Sequence, residues 1–299
     1  MEDKLTVLPD QSEILHYEDP GFPLYCRRNR LDMYPFKQVM CHWHSEFEFF
    51  LVEEGHPSYF INGTIVALKP GDVLFINAKY PHYGFSSDGS DSTYLVLVFP
   101  PSLLEPSPSL GPAFVDPLLL DPSVPFLLFE SEAAASLYQK ALAIFQIMQS
   151  HENGYPLLAL SGLYAFYQDF LQRKGQEKAV ALTRSPQALL LKKMLTFIYS
   201  HYQEPIEGDD IALAADLSSG YAIHLFSQLL RTSPMVYLRS YRLQKAAELL
   251  RDPTFNIEEI AAAVGFLSPS YFAASFHKEK GMSPREYRKL FISSSSQKE

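Results

Sequence analysis

The C-terminal third of the chain carries an internal repeat of about fifty residues. Ser218, Tyr221, Phe226, Ser233-Pro234 and Tyr237 recur as Ser268, Tyr271, Phe276, Ser283-Pro284 and Tyr287, each 50 residues on. The pair Ile211-Ala212 recurs as Ile260-Ala261 at a spacing of 49, so the second copy holds one more residue in its turn. A repeat of this length is one supersecondary unit used twice. Ser218 and Ser268 stand where an N-cap is expected, and each copy reads as a helix, a tight turn and a second helix. Ala222 and Phe226, like Phe272 and Phe276, are four apart and make the buried stripe of that second helix. The opposite face holds Gly220, Ile223, His224 and Ser227 in copy one, and Ser270, Ala273, Ala274 and His277 in copy two, with Ser219 and Pro269 at the helix starts. Ordinary helical bundles also contain this geometry, so spacing alone leaves a bundle without nucleic acid open.

Charge narrows the choice. The formal net charge of −9 argues against a nonspecific nucleic-acid coat protein. From Gln187 onward, however, 13 Lys and Arg meet 12 Asp and Glu. Only this third tolerates a phosphate backbone, and binding there must rest on where the cations sit.

Residue detail goes further. Arg242-Leu243, Ala246, Leu249-Leu250, Ile257, Ile260-Ala261, Gly265-Phe266, Ser270-Tyr271-Phe272, Phe276, Gly281, Ser283-Pro284 and Tyr287-Arg288 follow a family signature in order and spacing. Residues 187–292 thereby resemble the DNA-binding domain of the AraC/XylS-type transcription regulators. The resemblance implies two helix-turn-helix units joined by one long helix, about Pro234–Arg251, with recognition helices about 34 Å apart on one DNA face. It implies that Ser219, Gly220, Ile223, His224 and Ser227 face DNA in the first unit, and Pro269, Ser270, Ala273, Ala274 and His277 in the second. The family usually has Arg where His224 and Ala274 stand, and a Lys near Ser227. Without those donors, readout leans on His224, on thymine-methyl contacts from Ile223 and the alanines, and on DNA shape. Arg239, Arg242, Lys278, Lys280, Arg285 and Arg288 are candidate phosphate contacts.

The N-terminal part reads differently. Glu48–Glu53, Ser58–Ile61, Ile65–Leu68, Val73–Asn77 and Tyr94–Phe99 read as short strands, with Asn62-Gly63 as a hairpin turn. Such strands suggest an antiparallel barrel or jelly roll. Eight prolines between positions 100 and 125 suggest a loop over it. Apolar spacing of three and four predicts helices over Ser131–Ser150 and Pro156–Arg173.

His42, His44 and Glu48 share parity, so on one strand they point to one face, and His82 can join them from another strand. Three imidazoles and a carboxylate suit a divalent transition metal. The run His42-Trp43-His44, Glu48, Gly55, Pro70-Gly71-Asp72 and Pro81-His82 resembles the cupin metal motif. The region Leu15–Phe99 resembles the cupin-like sensor of AraC-type regulators. That resemblance implies ligand-binding roles for His42, His44, Glu48 and His82, with no resident metal or other cofactor; the same four are the set that would hold a metal. Tyr83 resembles a sugar-contacting tyrosine of the arabinose-sensing member of the family.

The expected fold class is α+β: an N-terminal antiparallel, cupin-like jelly-roll barrel, then helices, then an all-α domain with two helix-turn-helix units. The expected divisions are a ligand-sensing domain over 10–130, a dimerising helical segment over 131–174, a linker over 175–186, a DNA-binding domain over 187–292 and a disordered tail over 293–299. Leu137, Ala141, Ile144, Phe145 and Met148 form one stripe in the helical segment, and Leu160, Leu163, Tyr164, Tyr167 and Leu171 another. The expected function is effector-responsive transcriptional regulation, not catalysis. The partners are double-stranded promoter DNA, a sugar or related metabolite, a second copy of the chain, and RNA polymerase. The alternative is a cupin-type metalloenzyme fused to a DNA-binding domain. No Ser/His/Asp nucleophile arrangement or Gly-rich phosphate loop is evident. Two cysteines, Cys26 and Cys41, cannot build a disulfide framework. With no leader pattern and no apolar run of ~18 residues, the expected location is the cytoplasm, away from the membrane.

Overall fold

The structure is a computed structural model that describes residues 6–8, 11–19, 21–34, 37–178, 186–230, 232–250 and 254–295. Most of the expected linker, the end of the expected tail, and Arg251 lie outside the described residues. The chain divides into two compact units, Met1–Ala188 and Leu189–Glu299.

The first unit begins with a ribbon of β1 (Thr6–Val7) and β2 (Glu13–Ile14). Then come β3 (Tyr25–Arg30), β4 (Phe47–Glu54), β5 (Ser58–Ile61), β6 (Thr64–Ala67), β7 (Val73–Ile76), β8 (His82–Phe85) and β9 (Thr93–Phe99). The short α1 (Asp116–Leu119), β10 (Phe126–Phe129), α2 (Ser131–Ser150) and α3 (Tyr155–Arg173) complete it. A five-stranded sheet runs β10-β7-β4-β9-β3 and a three-stranded sheet β6-β5-β8, with antiparallel pairing throughout. The fold is therefore a sandwich and not the closed barrel expected. The strands of the smaller sheet are only four residues long, and among the described residues the edge of β8 meets the rest through isolated bridges, Gln38 to Phe85 and His42 to His82.

Strand alternation assigns the two faces of the larger sheet. Phe47, Phe49 and Leu51 of β4 point into a core shared with Phe75, Leu97, Phe129 and the helices α2 and α3. Each fully buried side chain of this size contributes about 1.5–3 kcal/mol. Glu48 and Phe50 point the other way. Asn62 and Gly63, both at positive φ, make the β5–β6 turn that the Asn-Gly pair demands. The proline-rich stretch is not a plain loop: it makes a tight helical turn at Pro101–Leu104 and a wider one at Gly111–Val115, then returns as the edge strand β10. Leu137, Ala141, Ile144 and Met148 of α2, with Leu163 and Tyr167 of α3, are buried in the same core. The stripe expected to face a partner copy docks on the unit's own sheet.

The second unit is all helical: α4 (Pro186–His201), α5 (Gly208–Leu213), α6 (Ser219–Leu230), α7 (Pro234–Leu249), α8 (Ile257–Ala263), α9 (Pro269–Lys280) and α10 (Pro284–Ser295). The two copies are α5–α6 and α8–α9, joined by α7. Each turn passes through a left-handed residue, Asp216 (φ 58°) and Gly265 (φ 85°). The next residue then donates back to the first helix, Leu217 to Ala212 and Phe266 to Ala261. The extra residue of copy two is thereby Leu267, which is 88% exposed. Ser218 and Ser268 accept from the backbone N–H of Tyr221 and Tyr271, as N-caps do. The last helix continues to Ser295, into the stretch expected to be tail.

Candidate functional site

A polar pocket lies between the two sheets of the first unit. Glu48 and Phe50 of β4, Asn29 of β3 and Tyr94 of β9 face Tyr59 of β5 across a cavity of about 60 Å3. Phe50 and Tyr94 stack with centroids 4.3 Å apart. His42 and His44 precede β4 and do not share a strand with Glu48. Backbone bridges from Trp43 to Ser12 and from His42 to His82 hold their segment. Even so, His42, His44, Glu48 and His82 converge: all four are buried, and one ligand atom from each lies within 4.8 Å of the others.

Glu48 organises this cluster. Its Oε2 lies 3.0 Å from His44 Nε2 and 3.2 Å from His82 Nε2, and its Oε1 accepts from the Tyr59 hydroxyl at 2.6 Å. A buried carboxylate needs such partners. Burial alone would raise the Glu48 pKa; the His82 charge and the contacts from His44 and His82 outweigh it and hold the carboxyl well below its usual range. Burial, reinforced by His82 and His44, holds the His42 imidazole well below its ordinary value. Burial beside Glu48 raises Tyr59, which therefore stays a phenol and a donor.

Tyr83 does not join the pocket. It is the neighbour of His82 on β8, so it points to the opposite face, fully buried with its ring 4.9 Å from Phe60. Glu13, Asn29, Tyr59 and Tyr94 line the pocket and were missed from sequence. Alternation along the Tyr94–Phe99 run could have placed Tyr94; Glu13, in a two-residue strand, carried no such signal.

In the second unit, Ala222, Phe226, Phe272 and Phe276 are fully buried, and the opposite sides of α6 and α9 are open. Gly220, Ile223, His224 and Ser227 are exposed on α6, as are Pro269, Ser270, Ala274 and His277 on α9; Ala273 is half-buried. Half-buried Ser219 donates its hydroxyl to Asp209, back in α5.

Comparison with known proteins decides the family. Residues 21–167 match a model described as an AraC-like ligand binding domain, and residues 211–290 one described as a helix-turn-helix domain. The chain belongs to the AraC-type transcriptional regulators. It is a DNA-binding regulator with an AraC-like ligand-binding domain. It is 28% identical to the uncharacterised HTH-type transcriptional regulator YdeC of Bacillus subtilis, over 93% of this chain and 96% of that one. It is 24% identical to the melibiose operon regulatory protein of Escherichia coli, over 83% of each. A solved AraC-type DNA-binding domain protein from Chromobacterium violaceum is 30% identical over 35% of this chain and 93% of its own, with a TM-score of 0.34.

The ligand-binding match runs through α2 and most of α3, so these helices belong with the sensor. Two of the regulator's candidate phosphate contacts also brace the backbone. Arg242 donates to the carbonyls of Tyr202 and Glu204, and Arg288 to those of Leu250 and Phe255. Among the described residues, no helix is long and apolar enough to cross a membrane.

Proposed function

We propose that the regulator senses a small uncharged polyhydroxyl molecule, of monosaccharide size, and acts on promoter DNA in the cytoplasm as a homodimer. The pocket carries this reading. Glu48, Glu13, Asn29 and Tyr59 present acceptors and donors beside the Phe50–Tyr94 stack, the mixed lining that orients a small polar ligand. Two carboxylates disfavour an anionic effector. A cavity of about 60 Å3 holds about four waters at ~15 Å3 apiece, too little for two sugar rings, so the pocket must widen to take one. A relative named for a melibiose operon supports the same chemical class.

On DNA, Ile223 and His224 of α6 and Ala273 and Ala274 of α9 read base edges. Ile223 is 51% exposed, an apolar group available to a thymine methyl. With the inner stripes of α2 and α3 used by the sensor core, the partner copy takes the outer face of α3, where Leu157, Leu158, Ser161 and Ala165 are exposed.

The test is a thermal-shift panel of monosaccharides and sugar acids, followed by a reporter assay with any hit. A neutral sugar should raise the melting temperature, and Asn29→Leu should remove both the shift and the reporter response while DNA affinity persists. A response confined to acidic ligands would refute the assignment.

A further inference from the structure

We propose that the cleft between α7 and the turn before α9 seats the minor groove of the base pairs that separate the two half-sites, so that the regulator reads the deformability of this spacer. The proposal rests on the reading of α6 and α9 as the base-reading helices. Two recognition helices one turn apart in the major groove, on one DNA face, leave the intervening minor groove turned toward the protein. What the protein offers there is the stretch between the end of α6 and the start of α9. Met235, Val236 and Arg239 of α7 line a cleft of about 350 Å3 together with Phe266, Leu267 and Tyr271.

The chemistry of the cleft suits DNA. Among the described residues, its charged lining groups are Arg239 and Arg242, with no carboxylate. A cleft with cations alone complements a polyanion, and a narrow minor groove concentrates negative potential and draws arginine into it. Arg242 is held by the carbonyls of Tyr202 and Glu204. Arg239 donates to the Tyr271 hydroxyl, and that bond, with Lys278 nearby, lowers the pKa of the phenol. It ties α7 to α9 across the cleft.

The apolar groups of the cleft stand in solvent. Leu267 is 88% exposed, Tyr271 55% and Met235 42%. Leu267 is also the residue that copy two adds to its turn, so copy one has no counterpart. Leucine and methionine are among the side chains that proteins press between base steps in the minor groove. Such a wedge costs least at the pyrimidine–purine steps TA and CA/TG, which unstack most easily. The surface is continuous with the reading face, since Ser268 leads into α9, where Ser270 and Ala274 are exposed. His224 and Ala274 stand where the family usually has arginine. Base edges therefore supply less of the discrimination, and the spacer supplies more.

The experiment uses the full chain. Sites are selected from random duplex DNA, and the central steps of the preferred site are then changed with both half-sites held. Replacing a central TA or CA step by GG should weaken binding about tenfold, and the bound protein should shield the spacer's minor groove from hydroxyl radicals. Leu267→Ser, a change at a solvent-exposed side chain, should cut the spacer preference to less than about threefold. Arg239→Gln should lower the salt slope by about 1. Wild-type binding that is indifferent to the spacer steps overturns the proposal. So does a Leu267→Ser chain that keeps the spacer preference. A Leu267→Ser chain that binds DNA as wild type does and loses only reporter activation also overturns it, and would give the surface to a protein partner. His224→Ala, scored on half-site variants, tests the base-edge reading separately: no change there, with the spacer preference present, would fault that reading and support this one.

Discussion

Replacing Gly265 with Ala isolates what the second copy of the repeat requires of its turn. Gly265 sits at φ 85°, a conformation that costs a residue with a Cβ about 1–2 kcal/mol. A stiffer unfolded chain returns about 0.4–1 kcal/mol of this. Space adds a second cost. A Cβ here would stand 2.4 Å from the carbonyl oxygen of Tyr202 and 3.0 Å from that of Gln203. The Tyr202 carbonyl already accepts from Arg242 Nε at 2.7 Å. Moving it weakens a charge-assisted hydrogen bond that contributes about 1.5–3 kcal/mol. The net expectation is a loss of about 3 kcal/mol. The matching residue of copy one, Asp216, already occupies the left-handed region at φ 58° with a side chain open to solvent. Asp216→Ala should therefore cost less than about 1 kcal/mol. Urea titrations read by far-UV circular dichroism compare the two. Trp43, the only tryptophan, reports the first unit separately by fluorescence. Equal losses from both substitutions, or a Gly265→Ala midpoint matching wild type, would refute the reasoning.

Three further outcomes are expected. His224→Ala should reduce discrimination among operator variants by about 1–3 kcal/mol, and Ser227→Ala by less; competition mobility shifts measure both, and equal loss on random DNA would make His224 a phosphate contact. Leu157→Glu combined with Leu158→Glu should turn a dimer into a monomer at micromolar concentration in sedimentation velocity without lowering the melting temperature; a dimer that persists would put the partner face elsewhere. Glu279 of α9 accepts from Ser240 through one oxygen, while the other is buried without a hydrogen-bond partner. Burial raises its pKa above the ordinary value, against the pull of the Ser240 bond. A raised folded pKa means that the fold gains stability as pH falls through that value toward 4.5 and loses it as Glu279 ionises. Glu279→Gln should therefore stabilise by up to about 1 kcal/mol at pH 7 and by nothing at pH 4, as urea midpoints at the two values will show.

What could be read before folding follows from the range of each constraint. The second unit was legible because its rules are local: a Ser three residues before the N–H it caps, apolar residues four apart, a left-handed residue closing each turn. The sensor depends on contacts between distant segments. Parity placed His42, His44 and Glu48 on one strand, whereas β4 begins only at Phe47, and the backbone bridge from His42 to His82 brings the imidazoles in. Tyr83, singled out by analogy with one relative, departs for a reason legible in its own position: adjacent strand residues face opposite ways, so a pocket that takes His82 gives its neighbour to the other face. The stripes of α2 and α3 show the limit of amphipathicity. They establish that a helix has a partner surface but not whose, and Phe49 and Phe75 of the same unit cover it first. Least legible of all are the contacts of the imidazole Nδ1 atoms of His42, His44 and His82 with the backbone carbonyls of Met40, Glu46 and Tyr80. Any residue supplies a carbonyl, so nothing in the identities of Met40, Glu46 or Tyr80 marks them. The membership of the cluster is written in four residues, whereas the aim of its imidazoles is set by three backbone carbonyls. A substitution that shifts the backbone at Met40, Glu46 or Tyr80 should thus loosen the cluster while leaving all four of its side chains in place.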